Sequence, residues 1–227
     1  MHIRVPMVML ACAFSLGPPV LPAHARITVV PDDAGRAIAF DVRAPGADVA
    51  GYARVLRASV HGDEIEDVTV RVVPRASIRA RCRDPRAVGC YSRGPRGSVI
   101  TIPARPARYV QATLLHEYGH HIDSTVDTPR WWSARRIAWR LRSGQVATDY
   151  SKGWSRSVGE VFAEDYVALH IRSASAIRWL PRPSASVLRA LRRDITEAPA
   201  ESQPVPSDPG AEPADPASPA GPAPRYS

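Results

Sequence analysis

The spacing of apolar residues predicts both strands and helices along the chain. Short runs of apolar residues, several alternating with polar ones and bounded by turn residues, predict β-strands. These strands cover 27–30, 37–42, 68–72 and 98–102. Apolar residues three or four positions apart predict helices at 48–60, 109–122, 128–142, 157–171 and 184–195. The pattern therefore predicts an α+β domain.

Two of the predicted helices begin with recognisable capping residues. Thr128 is a cap followed by proline at the first helical position, and Ser157 with Glu160 forms a capping-box pattern. The helix 128–142 has an apolar stripe opposite a face of arginines, which are Arg135, Arg136, Arg140 and Arg142. Such a basic amphipathic helix can lie on a membrane surface, but it more often covers a core, and we favour the core.

The two ends of the chain differ from its centre. Residues 1–25 have the pattern of a cleaved signal peptide, with a positive charge at Arg4, an apolar run and an Ala-His-Ala cleavage site. A lipoprotein signal with Cys12 as its modified residue is the alternative. Residues 199–227 are rich in Pro and Ala and predict a disordered tail. Residues 26–198 then suit one domain with a single core.

The formal net charge is +8 at pH 7, and the basic residues are nearly all arginine. Attraction to acidic cell-surface polymers or anionic lipid is one interpretation. We favour the other, a bias toward Arg, Ala and Pro that extends along the whole chain. No basic stretch with interleaved aromatic residues predicts nucleic-acid binding. No stretch after the signal is apolar enough to predict stable membrane insertion, and the pattern leaves the oligomeric state open.

Cys82 and Cys90 are the only cysteines beyond the signal. An even pair in an exported protein predicts a disulfide bond, and turn residues between the two can bring them together. Two free thiols or a metal site are the alternatives, and no neighbouring His or second Cys pair supports a metal there. The signal and the disulfide predict a secreted, periplasmic or cell-surface protein.

The strongest chemical signal is His-Glu-Tyr-Gly-His-His-Ile-Asp at 116–123. On a helix, His116 and His120 lie on one face about one turn apart, so their imidazole nitrogens can bind one zinc ion. Glu117 follows the first histidine and can reach a zinc-bound water, for which it would be the general base. This spacing predicts a hydrolytic zinc site that needs a third ligand.

Three neighbouring features also suit a hydrolytic zinc site on this helix. Gly119 lacks a side chain, so a second helix or a substrate can approach closely. Asp123 can accept a hydrogen bond from a ligand imidazole and orient it. The predicted strand 98–102 lies just upstream and could offer its edge to an extended peptide.

The residues alone leave the third ligand open. The candidates are His121, Asp123, Glu160, Glu164, Asp165 and His170. His121 is about 100° round the helix from His120, and Asp123 is too near along the same helix to close a tetrahedral site easily. We expect His170, like His61, to be an ordinary surface histidine.

Glu160 and Glu164 share one face of the helix 157–171, so either could be the ligand. Two carboxylates on a partly apolar face are costly unless a positive group meets them, and a zinc site would provide one. The alternatives are that Glu160 completes the capping box with Ser157, and that Glu164 and Asp165 belong to a solvated face.

These motifs resemble the catalytic domain of the anthrax lethal factor type of zinc metallopeptidases. That family pairs a His-Glu-x-Gly-His-x-x-Asp helix with a Glu-Phe-Phe-Ala-Glu helix, and this chain has Glu-Val-Phe-Ala-Glu at 160–164. The resemblance spans about 109–171 and implies that Glu160 is the third zinc ligand and Glu164 a supporting residue. It also implies a zincin-like fold, in which a small mixed sheet packs on an active-site helix and a second Glu-bearing helix.

The family also has a tyrosine shortly before the second motif, which assists at the developing oxyanion. Tyr150 resembles it, although it lies ten residues before Glu160, further than the family spacing. Trp154 occupies the nearer region and has no hydroxyl group.

Together with the signal-peptide pattern, the resemblance implies an exported zinc metalloendopeptidase of the gluzincin type. One zinc ion per chain would be held by His116, His120 and Glu160. Peptide or protein substrates would be hydrolysed by a zinc-activated water, with Glu117 as general base and Tyr150 at the oxyanion. One alternative is a catalytically inactive module of the same fold that binds acidic cell-surface material. Another is a zinc hydrolase that acts on a different bond, such as a peptidoglycan cross-link.

Overall fold

A computed structural model describes residues 25–197, except 96, 127, 173 and 174. The predicted tail lies outside these residues, as does the predicted signal peptide apart from Ala25. The described part is a mixed α+β structure with a five-stranded sheet, which confirms the predicted class. No helix in this part is long and apolar enough to cross a membrane.

The sheet is small and mixed. Its strands are β1 (Arg26–Pro31), β2 (Ala37–Val42), β3 (Val68–Val73), β4 (Cys90–Gly94) and β5 (Gly97–Pro103). The spatial order is β1-β2-β3-β5-β4. The three central strands are parallel, whereas β1 and β4 run antiparallel to their neighbours at the two edges. Alternate apolar residues of β3 and β5 are fully buried, as expected when helices cover the sheet.

Helices pack on this sheet and on one another around a single core. They are α1 (Val49–Arg57), α2 (Ile78–Cys82), α3 (Gln111–Thr125), α4 (Pro129–Arg135), α5 (Ile137–Arg142), α6 (Val158–His170) and α7 (Ala185–Thr196). The side chain of Asp48 caps α1 by accepting the N–H of Gly51. The most extensive helix–helix contact joins α3 to α6, so the two segments that carry the chemical motifs lie side by side.

The predicted helix 128–142 is divided into α4 and α5. Arg136 ends α4 in the left-handed region, with φ 55°. Trp131 and Ile137 are buried, so the segment covers the core, as we favoured. The prediction that Arg135 lies on the polar face of this segment is wrong. Arg135 is buried and forms a two-pronged ion pair with Asp165, because a carboxylate without solvent needs a positive partner.

The edge of the sheet beside α3 differs from the expectation. The strand predicted at 98–102 is β5, and both of its edges are paired, one with β3 and one with β4. It therefore has no free edge to offer, and β4 is the edge strand instead. The pattern did not predict β4 because Tyr91 is its only large apolar residue and most of its residues are exposed, so no alternation marks it.

The two cysteines are joined, as predicted. The Sγ atoms of Cys82 and Cys90 are 2.09 Å apart and their Cα atoms 5.7 Å apart. The bond links the last residue of α2 to the first residue of β4. Disulfides persist mainly in oxidising compartments, so the bond is consistent with an extracellular or periplasmic environment.

Candidate metal centre

Two histidines of α3 and one glutamate of α6 converge where these helices touch. The rings of His116 and His120 are inclined at 86° with centroids 4.9 Å apart, consistent with side chains one helical turn apart. Ligand atoms of His116, His120 and Glu160 all lie within 4.8 Å of one another. Two imidazole nitrogens and one carboxylate oxygen at this spacing could hold a metal ion.

Glu160 faces both histidines. Its Oε2 is 3.1 Å from Nε2 of His116, and its Oε1 is 3.5 Å from Nε2 of His120. Ser157 precedes α6 and makes no capping hydrogen bond with its side chain, so the capping-box alternative for Glu160 is not realised. Only 3% of Glu160 is exposed, and the histidines provide the polar partners that a buried carboxylate needs.

Glu164, one turn further along α6, holds the His116 ring from its other side. Its Oε1 is 3.1 Å from Nδ1 of His116, and its Oε2 accepts the N–H of Ala176 at 2.8 Å. Since Nδ1 is engaged by this carboxylate, Nε2 is the nitrogen of His116 that faces Glu160. Glu164 is buried, so the alternative of a solvated helix face is wrong.

The other candidates for the third ligand are not part of this group of three residues. His121 is fully buried, and its Nε2 is 2.7 Å from the carbonyl oxygen of Glu64. Asp165 accepts hydrogen bonds from Arg135 and from Nε1 of Trp131. Asp123 is half-buried beside His120, with which it interacts electrostatically.

The expectation that His61 and His170 are surface histidines is wrong. Nε2 of His61 lies 3.0 Å from Oδ2 of Asp32, and only 6% of its side chain is exposed. Nε2 of His170 accepts the N–H of Val60 at 3.3 Å. Burial lowers the pKa of His170 to about 4, with help from the positive charge of Arg192. Both histidines are packed into the fold away from the candidate metal ligands.

The pKa values of two candidate ligands, His116 and Glu160, are strongly shifted. Burial alone would lower the pKa of His116, but its hydrogen bonds to Glu160 and Glu164 outweigh this and raise the pKa to about 10. Burial alone would raise the pKa of Glu160, and its contacts with His116 and His120 instead lower it to about 2. In the absence of a metal ion, these shifts favour the protonated form of His116 between the two carboxylates. A metal ion bound by these donors would have to replace the proton on Nε2.

Glu117 lies beside the ligands and is 7% exposed. Burial raises the pKa of its carboxyl group, and the nearby His116 and His120 oppose the rise. The backbone N–H of Tyr91 is also directed at this carboxylate and favours its charged form. A carboxylate with a raised pKa, next to a metal-binding set, is suited to accept a proton during hydrolysis.

Two aromatic side chains from the segment before α6 reach the ligands. The hydroxyl of Tyr150 donates to Oε1 of Glu160 at 2.8 Å. The ring of Trp154 is nearly parallel to that of His116, with centroids 6.2 Å apart. The long spacing between Tyr150 and Glu160 therefore does not keep the tyrosine out of the site. Its catalytic role stays a prediction.

Tyr91 is a part of the site that the sequence analysis missed. Its ring is stacked beside His120 at 6.4 Å, and its hydroxyl lies 2.7 Å from Oγ of Ser124 and 3.0 Å from Oγ of Ser98. The one sequence signal for Tyr91 is its position directly after Cys90, because a disulfide fixes the position of the residues that flank it.

Comparison with known proteins adds no relative to this description. No family model, curated protein or solved structure matches the chain. The geometry of the site therefore carries the functional argument.

Proposed function

We propose that the protein is an exported, zinc-dependent metallopeptidase with a zincin-like fold of the gluzincin type. The observation that carries this proposal is the position of Glu160, which faces His116 and His120 from a separate helix. A histidine pair alone is common, whereas a buried carboxylate aimed at both rings needs a reason. The similarity of both motifs to the lethal factor type of peptidase supports the same assignment.

Zinc fits this donor set better than magnesium or calcium. Zinc is commonly bound by imidazole nitrogen together with carboxylate oxygen, whereas the other two ions prefer oxygen ligands alone. His116, His120 and Glu160 would hold the ion, and three protein ligands are typical of catalytic zinc sites. When bound, zinc lowers the pKa of a water molecule and polarises a peptide carbonyl.

The residues around the ligands have the properties that peptide hydrolysis requires. Glu117 accepts a proton at its carboxylate from the attacking water and delivers it to the nitrogen of the leaving amine. Tyr150 donates its hydroxyl hydrogen to the oxyanion that forms on the scissile carbonyl. Glu164 keeps the His116 ring in one orientation throughout, through Nδ1.

The sheet edge beside the site suits an extended substrate. β4 pairs with β5 through one edge, and no other described strand covers its second edge. Strand edges bind peptides through backbone hydrogen bonds, which tolerate varied side chains. We therefore expect a peptide or protein substrate, with selectivity provided by cleft residues such as Trp154, which is 41% exposed.

The test is metal content and proteolysis of the mature protein. We expect about one zinc ion per chain by elemental analysis, and cleavage of a mixed peptide library. Glu117→Ala should keep the metal and lose cleavage, whereas Glu197→Ala, a change at an exposed glutamate, should keep both. Folded protein that binds no zinc at neutral pH would contradict the proposal. Zinc-loaded protein that cleaves nothing, but binds acidic polymers with or without Glu117, would favour the inactive binding module.

A further inference from the structure

The segment closed by the disulfide touches the carboxylate of Glu117. Gly89 is the last residue before Cys90, and a Cβ atom at this position would lie 2.4 Å from Cγ2 of Thr113. It would also lie 3.1 Å from Oε1 and 3.3 Å from Cγ of Glu117. Carbon atoms do not pack as closely as 2.4 Å, so a larger residue would force Thr113 or the backbone to shift, whereas glycine lets the backbone run directly against the candidate base.

Tyr91, two residues later, supports the same carboxylate through its backbone. Its N–H is directed at Glu117, and this is possible because β4 is an edge strand whose outer N–H groups are not all used by a neighbour. The side chain of Tyr91 is anchored at its hydroxyl by Ser124 and Ser98. The backbone and side chain of Tyr91 thus join β4 to α3.

Packing alone provides little to hold this segment in place. Between the two cysteines, residues 83–89 are exposed or half-exposed, and their largest apolar side chain, Val88, is 66% exposed. The disulfide connects Cys90 to α2 instead, and α2 is anchored in the core by the buried Ile78 and packs against β5. A covalent link to a packed helix restricts the loop and the start of β4 together.

We propose that the Cys82–Cys90 disulfide positions the Gly89–Tyr91 backbone against Glu117 and so holds the proposed general base in its working orientation. In this role the three residues act on catalysis through Glu117. The Tyr91 N–H favours the charged form of the carboxylate, and the Gly89 backbone limits where its Oε1 can lie. The catalytic consequence rests on the proposed peptidase function, whereas the positioning itself does not.

Two variants of the full mature chain test this positioning. Cys82→Ser/Cys90→Ser removes the bond, and Gly89→Ala keeps the bond but forces the backbone away from Thr113 and Glu117. Gly94→Ala is the matched control on the same strand, because a Cβ there would meet nothing within 4 Å. The readouts are hydrogen exchange of the Tyr91 amide by NMR, zinc per chain, and kcat and KM separately.

We expect the Tyr91 amide to exchange at least about tenfold faster in both test variants and unchanged in Gly94→Ala. Zinc content should stay at that of the wild type, and in Gly89→Ala kcat should fall about tenfold to a hundredfold with little change in KM. Adding Thr113→Ala to Gly89→Ala removes the closest clash and should restore part of kcat.

Wild-type exchange of the Tyr91 amide in the folded double-serine variant would overturn the proposal, as would wild-type exchange in Gly89→Ala. If the double-serine variant does not fold, Gly89→Ala decides the matter, since it retains the disulfide. If the wild-type chain cleaves no peptide, the peptidase function fails. The exchange data still report whether the disulfide positions this backbone.

Discussion

Gly119 of α3 and Ala163 of α6 are in direct contact, so close that a Cβ on Gly119 would lie 2.9 Å from the Cα of Ala163. A Cβ on Gly119 would also lie 3.2 Å from the Cβ of Tyr166. The close approach of the two helices sets the distance from His116 and His120 to Glu160. The geometry of the candidate metal site therefore depends on a residue that contributes no ligand.

Gly119→Ala is expected to destabilise the fold, although alanine favours helix more than glycine does. The added methyl group must push α6 away, and overpacking of this kind costs about 1–3 kcal/mol in the free energy of unfolding. Because the ligands come from both helices, zinc affinity should fall as well. Urea unfolding and zinc titration measure the two effects.

Gly159→Ala is the matched control on α6. A Cβ at Gly159 would meet Oδ2 of Asp123 at 3.4 Å, an ordinary van der Waals contact. We expect this variant to be neutral or stabilised by up to about 1 kcal/mol. Equal destabilisation by the two changes would mean that helix separation is not what Gly119 controls.

Glu164→Gln tests the support of His116. Glutamine keeps the size of the side chain but replaces a charged acceptor on Nδ1 with a neutral one, so the imidazole becomes a weaker ligand. Zinc affinity should fall about tenfold to a hundredfold, as measured by competition with a chelator.

Asp123→Asn is the comparison, since Asp123 lies beside His120 without a hydrogen bond to it among the described residues. It should change zinc affinity less than Glu164→Gln does. A larger loss from Asp123→Asn would show that the charge beside His120 matters more than the hydrogen bond to His116.

How much of this site the sequence could predict depends on how local each feature is. His116, Glu117 and His120 lie on one helix, and helical geometry alone places them together. The choice of Glu160 over Glu164 required the resemblance, because it depends on how two separate helices cross. The periodicity places both glutamates on the same helix face and does not predict which of them contacts the histidines.

The features that were missed arise from tertiary packing. Arg135 and Asp165 both look like surface residues in the sequence, and their burial follows from a contact between α4 and α6. β4 has no apolar alternation, since its pairing with β5 is stabilised by backbone hydrogen bonds and by the anchored Tyr91. The disulfide was predictable from composition, but the contact of the loop it closes with α3 was not.

The stability of the fold should decline below neutral pH partly because of His170. The unfolded chain protonates this histidine near its usual pKa of about 6.5, whereas the folded protein does so only near the lowered pKa of about 4. Its contribution is therefore fully present above pH 6.5 and is lost as the pH falls toward 4. Between pH 7 and 5 we expect a loss of about 1–2 kcal/mol from this group.

His170→Gln separates this effect from other titrating groups. The amide oxygen of glutamine can accept the Val60 N–H without gaining a proton, so the decrease in unfolding free energy between pH 7 and 5 should be smaller. Urea unfolding of both proteins at several pH values provides the comparison. Parallel curves for the variant and the wild type would exclude His170 as a source of the pH dependence.

Tyr150→Phe tests the oxyanion role directly. The Tyr150 hydroxyl lies 2.8 Å from Oε1 of Glu160, so it is at the ligand set, yet 37% of the residue is exposed. Removing one hydrogen-bond donor to a developing oxyanion typically costs about a hundredfold to a thousandfold in kcat. We expect a loss of that order with zinc content unchanged and KM little affected.

Tyr109→Phe is the control for Tyr150→Phe, because Tyr109 is an exposed tyrosine outside the ligand set. It should behave as the wild type does. If Tyr150→Phe instead lowers zinc affinity and leaves kcat of the zinc-loaded enzyme intact, the hydroxyl serves mainly to orient Glu160. Measuring kcat at saturating zinc distinguishes the two roles, because only an oxyanion donor remains necessary once the metal site is filled.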